Sequence, residues 1–121
     1  MMTWDQVKVL SKAGIEFGAH TVSHPILSRT SDAALEREIM ESKQRIEEMT
    51  NQKVSLFAYP NGERGDFDQR AIDCLKNNGF IAACSTIYGV NKGIEERFAL
   101  KRIPAFKQPL GALGCRLVGL R

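Results

Sequence analysis

The sequence predicts an α/β fold, with mostly parallel strands and flanking helices. Three observations carry that prediction. Short apolar runs alternate with longer stretches of helical period, in the order helix–strand–helix–strand–helix–strand–strand–helix. Strands joined by helical crossovers run parallel. The two stretches richest in chemistry-bearing residues, His20–Pro25 and Tyr59–Gly62, each follow directly on a strand. In α/β barrels and open parallel sheets that edge is where ligands bind. Finally, 121 residues allow one domain, spanning 1–121, with a modest core.

The elements read in order as follows. Thr3 is an N-cap for a first helix, whose apolar stripe is Trp4, Val7 and Leu10, and Gly14 stands where a helix-ending residue belongs. Ile15–Gly18 reads as a strand, and Ile26 and Leu27 are expected to pack under the turn that follows it. Ser31 or Asp32 opens a long helix to about Met49. Leu35, Ile39, Ile46 and Met49 keep its inward period, and Glu36, Glu38, Lys43, Arg45, Glu47 and Glu48 read as its solvated face. Val54–Ala58 is a second strand, ending in the turn chemistry of Tyr59-Pro60-Asn61-Gly62. Phe67 to about Asn77 is a helix with Ala71, Ile72 and Leu75 inward, stopped by Asn78-Gly79. Phe80–Cys84 is a third strand and Leu100–Phe106 a fourth, broken near Pro104. Leu110, Leu113, Leu117 and Leu120 suggest a last helix, weakened by three glycines.

Composition narrows the function. Hydrophobic residues make up 43% and charged residues 26%, the balance of a globular chain. The net charge of +3 is scattered among acids, with no basic run interleaved with aromatics, so neither nucleic acid nor a membrane is an expected partner. Cys74, Cys84 and Cys115 are odd in number and widely spaced, which fits reduced thiols in a cytoplasmic setting. Met1-Met2-Thr3-Trp4-Asp5 lacks the basic start and apolar run of a signal peptide, and cytoplasmic localisation is the expectation for the chain as written.

Both histidines of the chain, His20 and His24, lie in Ile15-Glu16-Phe17-Gly18-Ala19-His20-Thr21-Val22-Ser23-His24-Pro25. Pro25 is expected to push His24 toward extended backbone. Two imidazoles on one turn can share a transition metal ion; two unrelated surface histidines have the same spacing. The helical metalloprotease pattern does not fit, because Thr21 stands where its Glu belongs.

The whole stretch resembles the second motif, His-(Ser/Thr)-x-x-His, of the polysaccharide deacetylase (NodB-homology) family, carbohydrate esterase family four. His20, Thr21 and His24 match it position by position. Phe57-Ala58-Tyr59-Pro60-Asn61-Gly62 is similar to the family's third motif, a Pro-aromatic-Gly loop preceded by Arg, although an ordinary turn has the same composition. The resemblance runs from the Trp4 helix to about Arg102. It implies a partial (β/α) barrel of the deacetylase type. It also implies metal-dependent removal of N-acetyl groups from a polysaccharide, with zinc as the expected divalent metal. His20 and His24 become metal ligands with Thr21 in support. Tyr59, Pro60, Asn61 and Gly62 become a substrate-binding loop, with the Asn61 backbone N–H as oxyanion donor.

The departures from the family are as informative. The first motif, a strand ending in Asp-Asp, is absent, and it belongs upstream of the Trp4 helix. The resemblance therefore covers the C-terminal half to two-thirds of the domain, and the domain reads as truncated. In the family one Asp is general base, the other is a metal ligand, and a further His is general acid; none of these has a counterpart here. Ala58 stands where many relatives have Arg, and Arg102 is the candidate replacement if it faces the groove rather than solvent. The expectation is a weak or inactive deacetylase acting on an acetylated glycan. The alternatives are a non-catalytic remnant that binds a glycan or partner protein, and a plain interaction domain with incidental histidines. A sheet lacking its first strands exposes an edge, so self-association through the Ile15–Gly18 strand region or its neighbour is also expected.

Overall fold

The computed structural model describes residues 2–93 and 96–105. Helix α1 (Trp4–Lys12) opens the chain, followed by a short 3-10 turn at Leu27–Arg29 and the long helix α2 (Asp32–Thr50). Strand β1 (Leu56–Ala58), helix α3 (Gln69–Asn77), strand β2 (Ala82–Tyr88) and strand β3 (Leu100–Arg102) complete it. The strands form one parallel sheet in the order β1-β2-β3. Helix α3 is the crossover between β1 and β2, as the alternation requires. The α/β reading therefore holds, while the expected last helix, Phe106 and Cys115 lie outside the described residues.

Helix starts follow the expected chemistry. Thr3 caps α1 through a capping box: its hydroxyl accepts from the Gln6 N–H (3.3 Å) and the Gln6 side chain accepts from the Thr3 N–H (2.9 Å). Ser31 caps α2 and Asp68 caps α3, each accepting one backbone N–H of the first turn. The buried cluster joins Leu27, Leu35, Ile39, Val54, Phe57, Tyr59, Leu75 and Phe80. Phe57 sits at its centre, edge-on to Tyr59 (5.4 Å) and Phe80 (5.7 Å).

Several expectations are corrected. Ile15–Gly18 is not a strand. Only Ala19 pairs with the sheet, through Ala19 N–H to Leu56 O (2.9 Å) and Ala58 N–H to Ala19 O (3.0 Å). The Ile15 N–H turns back to close α1 on Leu10 O (3.0 Å), which leaves its side chain 51% exposed. Gly18 lets the chain approach β1, since a Cβ there would lie 3.0 Å from Leu56 O. On α1 the buried positions are Val7 and Ser11, while Trp4 and Leu10 remain at the surface. Strand β2 runs past Cys84 to Tyr88, into a stretch that reads as polar loop.

The largest correction falls on α2. Glu38 and Lys43, assigned to the solvated face, are buried, at 7% and 8% exposure. Buried charges need partners, and both have them. Lys43 Nζ donates to Val54 O (2.6 Å), and Glu47 Oε1 accepts the Val54 N–H (2.8 Å), so α2 fixes the backbone leading into β1. Glu38 belongs to the candidate site. No described helix is long and apolar enough to cross a membrane.

Candidate metal and substrate site

The site is built on the ends of two neighbouring backbone segments. Ala19 lies beside β1, so the turn that follows it rises next to the loop that follows Ala58. The two are joined directly: His20 Nδ1 lies 2.8 Å from Ala58 O. A carbonyl only accepts, so Nδ1 carries a proton, and it is Nε2 that is left to offer a lone pair in the neutral ring. Metal-ligating histidines are held in this way, by a hydrogen bond to the ring nitrogen that does not bind. His24 comes back to meet His20, with ring centroids 4.9 Å apart and planes at 74°. Both histidines are exposed. The sequence-predicted pair is therefore brought together, on a turn at the carboxyl edge of the sheet.

The turn has an unusual backbone. Thr21 has φ 65° and His24 has φ 61°, so His24 is left-handed and not extended as Pro25 suggested. Such conformations cost about 1–3 kcal/mol each outside glycine and persist only when their surroundings impose them. Two sets of bonds impose them here. Thr21 Oγ1 donates to His20 O (2.5 Å) and accepts the His24 N–H (3.2 Å). From α2, the Glu38 carboxylate accepts three bonds: Val22 N–H (2.8 Å), Ser23 N–H (2.9 Å) and Ser23 Oγ–H (2.6 Å). Burial pushes the Glu38 carboxyl upward, but the Ser23 hydroxyl and the two N–H groups outweigh it and hold the group below its ordinary range.

The Tyr59–Gly62 loop is held differently. Tyr59 is 1% exposed; its ring stacks on Phe67 (3.8 Å, 5°) and its hydroxyl donates to Phe98 O (2.8 Å). Burial raises the phenol far above its usual range. Pro60 is fully buried as well. The side chains of these two residues, expected in a substrate-binding loop, pack in the core, where the Tyr59 hydroxyl finds a backbone acceptor. Gly62 is also buried, with φ 76°, and a Cβ there would lie 2.9 Å from Thr86 N. Asn61 alone of the four is exposed, with φ 57°. Its carbonyl accepts Thr86 Oγ1–H (2.6 Å), and among the described residues its N–H has no acceptor.

Arg102 does not join this group. Its Nε donates to Ser85 O (2.7 Å), on the far side of β2. β3 lies three strand positions from the Ala19 segment, roughly 14 Å at the usual spacing.

Sequence reasoning missed two residues that shape the site. Glu38 was hidden in a charge run, yet it follows Leu35 by three positions and precedes Ser42 by four, which puts it on the buried face. Arg70 was not singled out at all. From the surface its guanidinium bonds Asp32 (2.7 Å), Asp68 (2.8 Å), Thr30 O (3.1 Å) and Ser28 O (3.2 Å), tying α3 to the segment after the His turn.

The family model for polysaccharide deacetylases matches residues 1–83, more than half the chain. The chain belongs to the polysaccharide deacetylase family. Among curated proteins it is similar to YxkH of Bacillus subtilis (strain 168), assigned to the polysaccharide deacetylases, with 22% identity over 102 residues, covering 84% of this chain and 36% of YxkH. Among solved structures it resembles the Streptococcus pyogenes deacetylase PplD, in complex with acetate, with TM-score 0.77 and 25% identity over 84% of this chain and 44% of PplD. It also resembles BA3943 of Bacillus anthracis, a pseudoenzyme of carbohydrate esterase family four, with TM-score 0.60 and 25% identity over 66% of this chain and 27% of that one. The chain thus spans less than half the length of these deacetylase-family relatives. The likeness supports the partial-barrel reading of the fold.

The deacetylase family is generally metal-dependent, and the donor set here fits such an ion in part. Two imidazoles converge, and one has its free nitrogen fixed by Ala58 O. A third donor is missing: no group of three His, Cys, Asp or Glu side chains able to hold a metal occurs among the described residues.

Proposed function

We propose that this chain is the His-motif part of a metal-dependent hydrolase that removes N-acetyl groups from a polysaccharide. The observation that carries the reading is the His20–His24 pair, edge to face at 4.9 Å, with Nδ1 of His20 on Ala58 O. In this reading His20 and His24 supply two nitrogen ligands to a divalent metal, with zinc the first candidate. When bound, that ion supplies Lewis acidity toward a carbonyl and makes water a stronger nucleophile near neutral pH. The chain's own residues then orient the acyl group. The Asn61 N–H, without an acceptor among the described residues, is the donor for the developing oxyanion, and donors of this kind act only if held in place beforehand. Its carbonyl bond to Thr86 provides that fixing.

The sequence has no Asp-Asp pair and no third histidine, and among the described residues no third ligand joins His20 and His24. Groups that act as a unit fail together, and the isolated chain should turn over acetylated glycans poorly. Acetate release from acetylated chito-oligosaccharides, with zinc added, tests this; rapid turnover by these 121 residues overturns it. The likeness to a pseudoenzyme and the missing third donor favour a second reading, in which the chain is a non-catalytic glycan-binding remnant. Binding of the same oligosaccharides without acetate release selects that reading.

Self-association belongs to the same proposal. Among the described residues Ala19 bonds to β1 on one side only, and a cleft of about 550 Å³ opens beside it, lined by Trp4, Gly18, His20, Val22, Arg45 and Ile46. An unpaired edge beside an open cleft invites a second chain. Light scattering during size exclusion should report a dimer or larger; a monomer at high concentration overturns it.

A further inference from the structure

We propose that Glu38 is the positioning residue of the histidine pair: through three hydrogen bonds from α2 it sets the backbone that points both imidazoles. This rests on the metal reading above for its purpose, but its geometry stands alone. Val22 and Ser23 lie between the two histidines. Their N–H groups converge on Glu38 Oε2, at 2.8 and 2.9 Å, and the Ser23 hydroxyl takes Oε1 at 2.6 Å. Among the described residues those two N–H groups have no other acceptor. The residues flanking them, Thr21 and His24, are the two with left-handed backbone. A non-glycine turn of that shape needs an external clamp, and Glu38 is the side chain that reaches it from a rigid element.

The helix that carries Glu38 explains its precision. Residues 35, 39 and 42 anchor that face of α2 in the interior, and Glu38 itself is 7% exposed. Its carboxylate therefore has little freedom, and neither has the turn. Thr21 makes the remaining local bonds, but Thr21 lies within the turn and cannot fix the turn relative to the sheet. His20 touches the sheet through Ala58 O, while His24 has no sheet bond among the described residues. Leu27 and the Arg70 bonds hold the chain beyond His24, and between the two histidines the bonds to a rigid element are those of Glu38.

The test uses the full chain and three variants: Glu38→Ala, Glu38→Gln and Ser23→Ala. Imidazole nitrogens are followed by NMR without metal, zinc alone is titrated by calorimetry, and thermal unfolding is recorded for each. In the wild type, His20 should show a single tautomer protonated at Nδ1. Glu38→Ala should average the His24 and His20 signals and weaken zinc binding by about tenfold to a hundredfold, the usual cost of losing an outer partner of a metal ligand. Glu38→Gln should restore most of both readouts, because its amide oxygen still accepts the two N–H groups and the Ser23 hydroxyl can rotate to accept from its NH2. A merely structural role would lower the melting temperature and leave the folded protein's imidazole signals and zinc affinity unchanged. That result overturns the proposal, as does failure of Glu38→Gln to rescue. Should Glu38→Ala not fold, Ser23→Ala removes one bond of the three and should shift the same signals in the same direction; unchanged signals overturn the proposal. Wild-type protein that binds no zinc overturns the metal reading instead, and the imidazole signals still judge Glu38.

Discussion

The two loops at the sheet edge solve one problem in opposite ways. The His20–His24 turn is exposed, and side chains hold it: Thr21 from within and Glu38 from a neighbouring helix. The Tyr59–Gly62 loop is mostly interior, held by an aromatic stack and by backbone bonds to β2. The first leaves its functional atoms free because none of them is used in packing. The second sacrifices Tyr59 and Pro60 to the core and offers only Asn61. A loop that presents side chains must be clamped from outside, whereas a loop that presents a backbone N–H can be fastened by its own residues.

Perturbing each loop sharpens that contrast. The largest effect should come from Tyr59→Ala, which removes the Phe67 stack and leaves Phe98 O without its donor; about 3–5 kcal/mol of stability should be lost in urea unfolding. Next, His20→Ala should weaken zinc binding by more than the roughly hundredfold upper cost of an outer-partner change. Its melting temperature should stay close to wild type, because the ring is exposed. Loss of stability without loss of zinc affinity would contradict the contrast. Gly62→Ala should cost about 1–2 kcal/mol from its left-handed backbone alone, with a further penalty from the contact with Thr86 N, read from chemical denaturation. Thr21→Ala should be smaller, at about 1 kcal/mol for the lost hydroxyl bonds, and should weaken zinc binding more than it lowers stability.

Acid gives a finer test. Glu38 is held below its ordinary 4.5, and Asp68, which caps α3, below its ordinary 3.8. At Asp68 burial opposes the shift, but the hydrogen bonds from Arg70 and the Ala71 N–H outweigh it. A carboxyl depressed in the folded state stabilises fully above its unfolded value and loses that stabilisation as pH falls through the folded one. Stability should therefore be flat above pH 4.5 and decline below it, and Glu38→Gln should flatten the first part of that decline. An unchanged acid limb in the variant would mean the Glu38 bonds do not form in solution.

How far the sequence reached differs between these regions. Cap residues Thr3 and Ser31, and the apolar period of α2 and α3, were legible because helix chemistry is local, whereas the Asp68 cap was passed over and α3 was started at Phe67. The His pair was legible because the stretch around it resembles a family motif, whereas its spacing alone fits two unrelated histidines equally. The strand at Ile15–Gly18 was misread, since a short apolar run does not say whether its backbone pairs with the sheet or closes the preceding helix. The inward packing of Tyr59 was not legible, because loop composition does not reveal where a ring packs.

By itself the sequence determined which segments are helices, that the strands run parallel, and that two imidazoles share one turn at the strand ends. These follow from periodicity, capping and the short range of backbone preferences. Only the tertiary structure decided that Glu38 and Lys43 turn inward, that Tyr59 is core, and that Arg102 bonds β2 instead of approaching the histidines. Each of these depends on a partner far away in the chain, and a charge is tolerated inside only where folding has brought its hydrogen-bond partners to meet it.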